Sequence, residues 1–258
     1  MKWGKLLIVI FGALIVTALG IDAADTISGS KSTLLGQLVS SESEGVCPEG
    51  MAIVSAPTTF TCVDRYEATV GKGCVGGVPK NELDTKNILS YKDCGSDSIP
   101  DSDVWRFINR EQASLACARS GKRLPTADEW YQFSIGTPDD SSSCNIDYEG
   151  VKLSGHQDLC VSAEGVFDAV GNVWEWTTDE VFDGVINGRS VPEDGYVTQV
   201  DSGGVAVFTS DQDPKSHGSD YFWSKSQGVY AVMRGGFYGS KADAGVYSTH
   251  AATDPDFY

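Results

Sequence analysis

Val170-Gly-Asn-Val-Trp-Glu-Trp176 is the stretch on which the reading of this chain turns. Its Gly171-Asn172 pair has the composition of a tight turn, and the flanking residues are those of a turn set between packed tryptophans. Upstream, Gly121-Lys-Arg-Leu-Pro-Thr-Ala-Asp-Glu-Trp130 reads as one helix stopping and another starting. Gly121 stands where a helix ends in a left-handed residue, and Thr126-Ala-Asp-Glu129 is a capping box directly after Pro125. The helix it opens carries Trp130 and Phe133. The helix before it starts at Asn109, with Gln112 at the third position, and puts Ala113, Ala116 and Cys117 on one face.

Around this pair the chain reads as strands and loops. Met51-Ala-Ile-Val54 and Phe60-Thr-Cys-Val-Asp-Arg-Tyr-Glu67 are short strands, and Gly228-Val-Tyr-Ala-Val-Met-Arg234 alternates as another. Val246-Tyr-Ser-Thr-His250 is a further strand candidate. Residues 71–103 are rich in Gly, Asp and Ser and read as loop; residues 136–226 read as turns, short strands and long loops without a helix. No internal repeat is present. Two helices against many short strands define an α+β domain.

Composition bounds the function. The 258 residues are 41% apolar, with six Trp, ten Tyr and ten Phe, which is enough for a core and argues against disorder. The formal net charge of -17 repels phosphates, so nucleic acid is excluded as a partner. The acidity otherwise reads as solubility, with calcium carboxylates as a second account.

At the N-terminus Lys2 and Lys5 precede an uncharged run from Leu6 to Gly20, shorter than the ~20 residues of a membrane span. Residues 1–23 read as a signal peptide or an uncleaved anchor, and either way the body leaves the cytoplasm; any membrane contact is through this segment alone. Residues 24–46, with Ser41-Glu-Ser-Glu-Gly45, read as a linker. The domain then runs from 47 to 258. Its seven cysteines stand at 47, 62, 74, 94, 117, 144 and 160, without a C-x-x-C pair or zinc spacing. In an oxidising compartment they predict disulfides. Sequence neighbours suggest Cys47–Cys62, Cys74–Cys94 and Cys144–Cys160, with Cys117 left over; spacing alone does not fix the connectivity.

Four landmarks in order, Cys62-Val-Asp-Arg-Tyr-Glu67, Gly121 to Trp130, Val170 to Trp176 and Arg234-Gly-Gly236, resemble the formylglycine-generating enzyme (sulfatase-modifying factor) family. The resemblance covers roughly residues 47–258 and implies a C-type-lectin-like α+β fold. Enzymes of that family oxidise a substrate cysteine with oxygen and Cu(I) held by two thiolates in the tail, soft ligands for a soft ion. Here those positions fall at Ser240 and Gly245, and no cysteine follows Cys160. The resemblance therefore implies a non-catalytic domain with no copper. The family's calcium site maps onto Asp168, Gly171, Val173 and Glu175, two carboxylates and two carbonyls of the hard-oxygen kind Ca²⁺ takes. Local capping or pairing by Asp168 and Glu175 is the alternative. A second family site would involve Asn145 and Ile146.

Within the same fold, Arg234-Gly-Gly236, Ala244-Gly-Val246 and Pro255 resemble the C-terminal segment of variable proteins from diversity-generating retroelements. That resemblance implies fixed residues alternating with rewritten ones. The rewritten candidates are Phe237, Tyr238, Gly239, Ser240, Ala242, Asp243, Tyr247, Ser248, Thr249, His250, Thr253 and Asp254. Each is reachable from an Asn codon by changing adenines, and Lys241 is not. Tyr, Ser, Gly and Asp are also the residues that adaptable binding loops favour. An ordinary fixed loop of the fold is the alternative. Both resemblances imply a closing Gly-Phe-Arg strand, often followed by cysteine, beyond Tyr258; such a cysteine would pair with Cys117.

The expected function is an exported or surface-anchored module that binds an extracellular protein or surface ligand through the tail. A formylglycine-generating or divergent oxidoreductase activity is the competing class, and a structural envelope component the third. His156, His217 and His250 are the only histidines, and none lies in a nucleophile motif.

Overall fold

A computed structural model describes residues 47–55 and 59–257. The chain divides into two compact units, residues 1–48 and 49–258. Of the first, only Cys47 and Pro48 are among the described residues, so the expected signal segment and linker lie outside them. No helix among the described residues is long and apolar enough to cross a membrane.

The second unit is mostly β. Strands β1 (Met51–Ile53) and β2 (Cys62–Asp64) form one antiparallel pair, and β3 (Thr69–Val70) and β4 (Ser96–Asp97) another. The main sheet holds β5 (Glu175–Phe182), β6 (Val185–Ile186), β7 (Arg189–Ser190), β8 (Gly195–Val200), β9 (Ala206–Ser210), β10 (Tyr221–Ser224), β11 (Val229–Gly235) and β12 (Gly245–Thr253). Its order is β7-β6-β5-β11-β12-β10-β8-β9. The tail strand β12 is therefore internal, antiparallel to β11 on one side and parallel to β10 on the other.

Three α-helices are present among the described residues: α1 (Glu82–Ile88), α2 (Arg110–Arg119) and α3 (Ala127–Ser134). Both sequence-predicted capping boxes form. Gln112 N donates to Asn109 Oδ1 at 2.9 Å, and Glu129 N donates to Thr126 Oγ1 at 3.1 Å, each cap worth about 1 kcal/mol. Helix α1 corrects the expectation of a loop through 71–103. Asn81 caps it by accepting from Asp84 N, acidic residues fill its first turn, and Ile88 and Leu89 bury against Cys94, Trp105 and Ala116. The α+β expectation also needs adjusting, because the eight-stranded sheet dominates and the helices are short.

Disulfides Cys74–Cys94 and Cys144–Cys160 form, Cys47 and Cys62 are disulfide-bonded as well, and Cys117 is free and half-buried. Six bonded cysteines suit an oxidising compartment.

The inner face of the sheet buries Val181, Val197, Phe222, Val232 and Ala251, together with Val205 of the β8–β9 loop, against Ala127 of α3. Beside this apolar layer lies Arg234, fully buried. Its Nη1 donates to Thr249 Oγ1 at 2.9 Å, its Nη2 to the carbonyls of Val246 (2.8 Å) and Gly204 (3.1 Å), and its guanidinium lies 4.9 Å from the Trp130 ring centroid. One side chain thus ties β11 to β12, to the β8–β9 loop and to α3. Replacing it with methionine strands the carboxylates that surround it, and should cost about 3–5 kcal/mol in a urea melt. Lysine should not rescue it, because an ammonium lacks the planar fork that reaches three acceptors.

Candidate functional site

The tail begins with a turn that the Val170–Trp176 segment holds from beneath. Gly171 N donates to Gly235 O (3.1 Å) and Tyr238 N to Asn172 O (3.1 Å). On the other side Tyr148 N donates to Tyr238 O (2.9 Å) and Lys241 N to Ile146 O (2.7 Å). Asn172 is the hub of this anchorage. Buried and left-handed at φ 54, it donates to Glu67 Oε2 and the Lys152 carbonyl while accepting from Asn145 Nδ2 and Lys152 N. The Gly-Asn turn read from sequence is thus a clamp on the start of the tail.

The twelve tail positions separate by burial. Gly239, Ala242 and Asp254 are exposed, and Phe237, Tyr238, Asp243, Tyr247 and His250 are half-buried. Ser240, Ser248, Thr249 and Thr253 are buried, which narrows the expected display surface. Ser240 Oγ accepts from Phe237 N, and Thr249 is an acceptor for Arg234, so both do structural work. Tyr247 turns inward against Tyr131 and His217, with ring centroids at 5.7 and 4.9 Å. A hydrogen bond with Tyr131, together with burial, pushes its phenol up to about 12.

The structure adds partners that lie outside the tail. Phe237 and Tyr238 stack edge to face at 5.2 Å, and Tyr148, joined to Tyr238 by backbone, is largely exposed with Lys152 Nζ over its ring. On the outward face of the sheet, His250 stacks on Trp223 (5.6 Å), and Trp174 meets both edge-on at 5.7 and 5.5 Å. Tyr221 and Tyr196 extend this cluster. Burial pushes the His250 imidazole down to about 4, so it is neutral at physiological pH. Alternation in Tyr221-Phe222-Trp223 was the available sequence signal: Phe222 is core, and its neighbours face outward.

The expected calcium residues sit in an acidic interior. Asp168, left-handed at φ 57 and buried, accepts from Gly155 N at 2.6 Å, and Glu175 accepts from the Trp130 indole. Glu67, which the sequence reading did not single out, joins them. Burial, then the Asp168 and Glu175 carboxylates, drive its carboxyl well above the ordinary range, and its Oε1 has no partner. Burial also raises Asp168 to about 6 and Glu175 to about 8. Among the described residues no three His, Cys, Asp or Glu side chains form a metal-ligand group, so a cation here would depend on the Gly171 and Val173 carbonyls as well. The acid surplus and the orphaned Glu67 oxygen fit such an ion in charge. Asn145 belongs to the Asn172 network, and Ile146 lends its carbonyl to the tail turn.

A second acid pair supports the start of β12. Asp220 is buried, its Oδ2 accepts from Tyr247 N, and its Oδ1 is unpartnered; Asp139 Oδ1 beside it is unpartnered too. Burial and the Asp139 charge raise Asp220 well above its ordinary value, and burial lifts Asp139 to about 6. A shared proton satisfies both.

No family model and no curated protein matches the chain. Among solved structures it is similar to the Major Tropism Determinant P3c variant (TM-score 0.44, 18% identity) and the M1 variant (TM-score 0.45, 19% identity). In each case the match covers 82% of this chain and 50% of the other, so the chain spans about half the length of those proteins.

The folded acids at 139 and 220 hold protons that the unfolded chain releases near its ordinary carboxylate range. The Asp139 contribution is therefore complete below about pH 4 and declines as pH rises through about 6, with Asp220 acting in the same direction. Asp139→Asn, which donates to Asp220 without needing a proton, should raise the melting temperature at neutral pH and flatten its fall between those values.

Proposed function

We propose that this chain is an exported, non-catalytic binding protein with a C-type-lectin-like domain related to the formylglycine-generating enzymes. In this reading its ligand face is the tail turn at 237–243 together with the outward side of β12. The observation that carries this is the placement of the tail. Both edges of β12 are hydrogen-bonded within the sheet, so its backbone is fixed while alternate side chains project. Phe237, Tyr238, Gly239, Ala242 and Asp243 stand on a turn bolted to Asn145–Tyr148 and Asn172, a support independent of their side chains. A surface built this way tolerates replacement, as a diversified segment requires. The candidate contacts are these five with His250 and Asp254; Tyr247, which packs inward against the core, serves as scaffold with Ser240, Ser248, Thr249 and Thr253. An extracellular protein or surface ligand is the partner class.

Residue chemistry supports the non-catalytic reading. Ser240 and Gly245 supply no thiolate for copper, and His250 is locked among aromatic rings. Calcium is proposed as a structural ion at Asp168, Gly171, Val173 and Glu175, where it would offset the buried acid surplus.

Two measurements test these readings. A library randomised at Phe237, Tyr238, Gly239, Ala242 and Asp243 should stay folded in most members and yield binders to a defined protein target. Randomising Ser248 and Thr249 instead should abolish folding. Loss of folding in both libraries would make the turn structural. For the ion, about 1 mM calcium added to EDTA-treated protein should raise the melting temperature by a few degrees, in the affinity range of extracellular sites. Glu175→Gln should remove that rise, and an unchanged wild-type melt would exclude the site.

A further inference from the structure

We propose that the outward face of β8, β10 and β12 docks a basic polypeptide segment, whose Arg or Lys side chains lie over Tyr196, Tyr221 and Trp223 and pair with Asp194, Asp211 and Asp243. This names a partner chemistry for the binding face and rests on that reading. The aromatic side chains form a continuous ladder. Tyr196 and Tyr221 are register partners with centroids 5.2 Å apart, Tyr221 and Trp223 are 4.8 Å apart, and Trp223 partners His250 at 5.6 Å. Trp174 closes the far end. All five are half-buried, which leaves ring surface facing solvent.

Carboxylates rim the tyrosine end. Exposed Asp194 precedes β8 and accepts from Ser224 N of β10. Exposed Asp211 follows Ser210, the register partner of Tyr196. Asp243 comes from the tail's own 3-10 turn (Lys241–Asp243). Burial, then the charges of Asp194 and Asp243, then Tyr196 and Asp211, raise the Tyr221 phenol, in keeping with a carboxylate rim at this end of the ladder. The basic group at the other end is Lys225, whose Nζ lies over Tyr230 at 4.7 Å and whose charge reaches His250.

Ring faces are negative in their quadrupole, so rings edged by carboxylates attract cations and repel anionic ligands. A guanidinium meets both demands at once, stacking on a ring while pairing with a carboxylate. Each exposed cation–π contact adds about two- to fivefold in affinity. The chain's net charge of -17 steers a basic partner toward it from a distance.

A fluorescein-labelled oligoarginine peptide, titrated into the full chain near physiological salt, tests this by anisotropy. Saturable binding is expected, weakened about tenfold by Asp194→Asn with Asp211→Asn and about as much by Tyr221→Ala. Glu82→Gln with Glu111→Gln, an equal charge removal on exposed helix positions, should leave it unchanged. Equal weakening by the two charge pairs, no effect of Tyr221→Ala, or no saturable binding would overturn the proposal. The asparagine pair is at exposed sites and keeps the test decisive if the tyrosine variant unfolds. Such a failure leaves the general binding face standing if the randomised turn library still folds and yields binders; if that library collapses, the binding face itself fails.

Discussion

A buried guanidinium organises this domain. Placing Arg234 in the dry interior carries a desolvation penalty of several kcal/mol, which only good geometry and compensating charge can offset. Three acceptors and the Trp130 ring supply the geometry. Burial pulls its pKa down to about 10, against the opposing charges of Asp220, Asp201, Asp128 and Asp179, so it stays protonated at any physiological pH. Among the described residues no carboxylate forms an ion pair with it. The compensation is distributed, and the fold around the cation must therefore hold several acids at fixed range. The next two residues continue the constraint. Gly235 and Gly236 take φ of 89° and 92°, and a side chain at Gly235 would strike the Ala169 carbonyl and lie 3.1 Å from the Trp130 ring. Arg-Gly-Gly is thus a cation under the sheet followed by a forced exit from it.

That exit explains how one segment serves both scaffold and surface. After the glycines the chain leaves the sheet for the 237–243 turn and returns as β12, where residues alternate between faces. Thr249 and Ala251 point to the core with Phe222, and His250 points outward with Trp223. Replacing His250 changes the aromatic face, whereas replacing Thr249 removes an Arg234 acceptor. At Thr249 and His250 position within the pleat, more than residue type, separates what the strand must keep from what it can vary, while Ser248, on the His250 side, is kept by its complete burial.

The local parts of this arrangement were legible in sequence. Both capping boxes and the Gly-Asn turn depend on neighbours within a few positions, and each has its expected geometry; the expected β11 strand forms, but Ala231 to Gly235 are buried on both of its faces, so the alternation read from sequence does not separate a core side from a solvent side. Helix α1 was hidden because its seven residues sit inside a Gly- and Ser-rich stretch, with core contacts supplied by distant Trp105 and Ala116. Ser248 and Thr249 look like adaptable contact residues by type, and only their complete burial in the fold shows that they are interior. Glu67, held by Asn172, joins Asp168 and Glu175 across more than a hundred positions of chain, a separation that spacing arguments do not reach. The aromatic ladder is similarly non-local, since β8, β10 and β12 bring its rings together.

The acidity of the chain then has two distinct physical consequences. Inside, Glu67, Asp168 and Glu175, and separately Asp139 and Asp220, are carboxylates in low dielectric that must hold a proton, share one or meet a cation. Outside, the exposed carboxylates of Asp194 and Asp211 project a field from the rim of the half-buried rings. Asp220 connects the two regimes. It faces the Arg234 charge from one direction and, through Tyr247 N, fixes the first residues of β12 from the other. The outward aromatic face is consequently held by the same electrostatic balance that keeps Arg234 buried. A change that upsets the interior charge would be felt at the surface through the position of β12, with no contact to a ligand required.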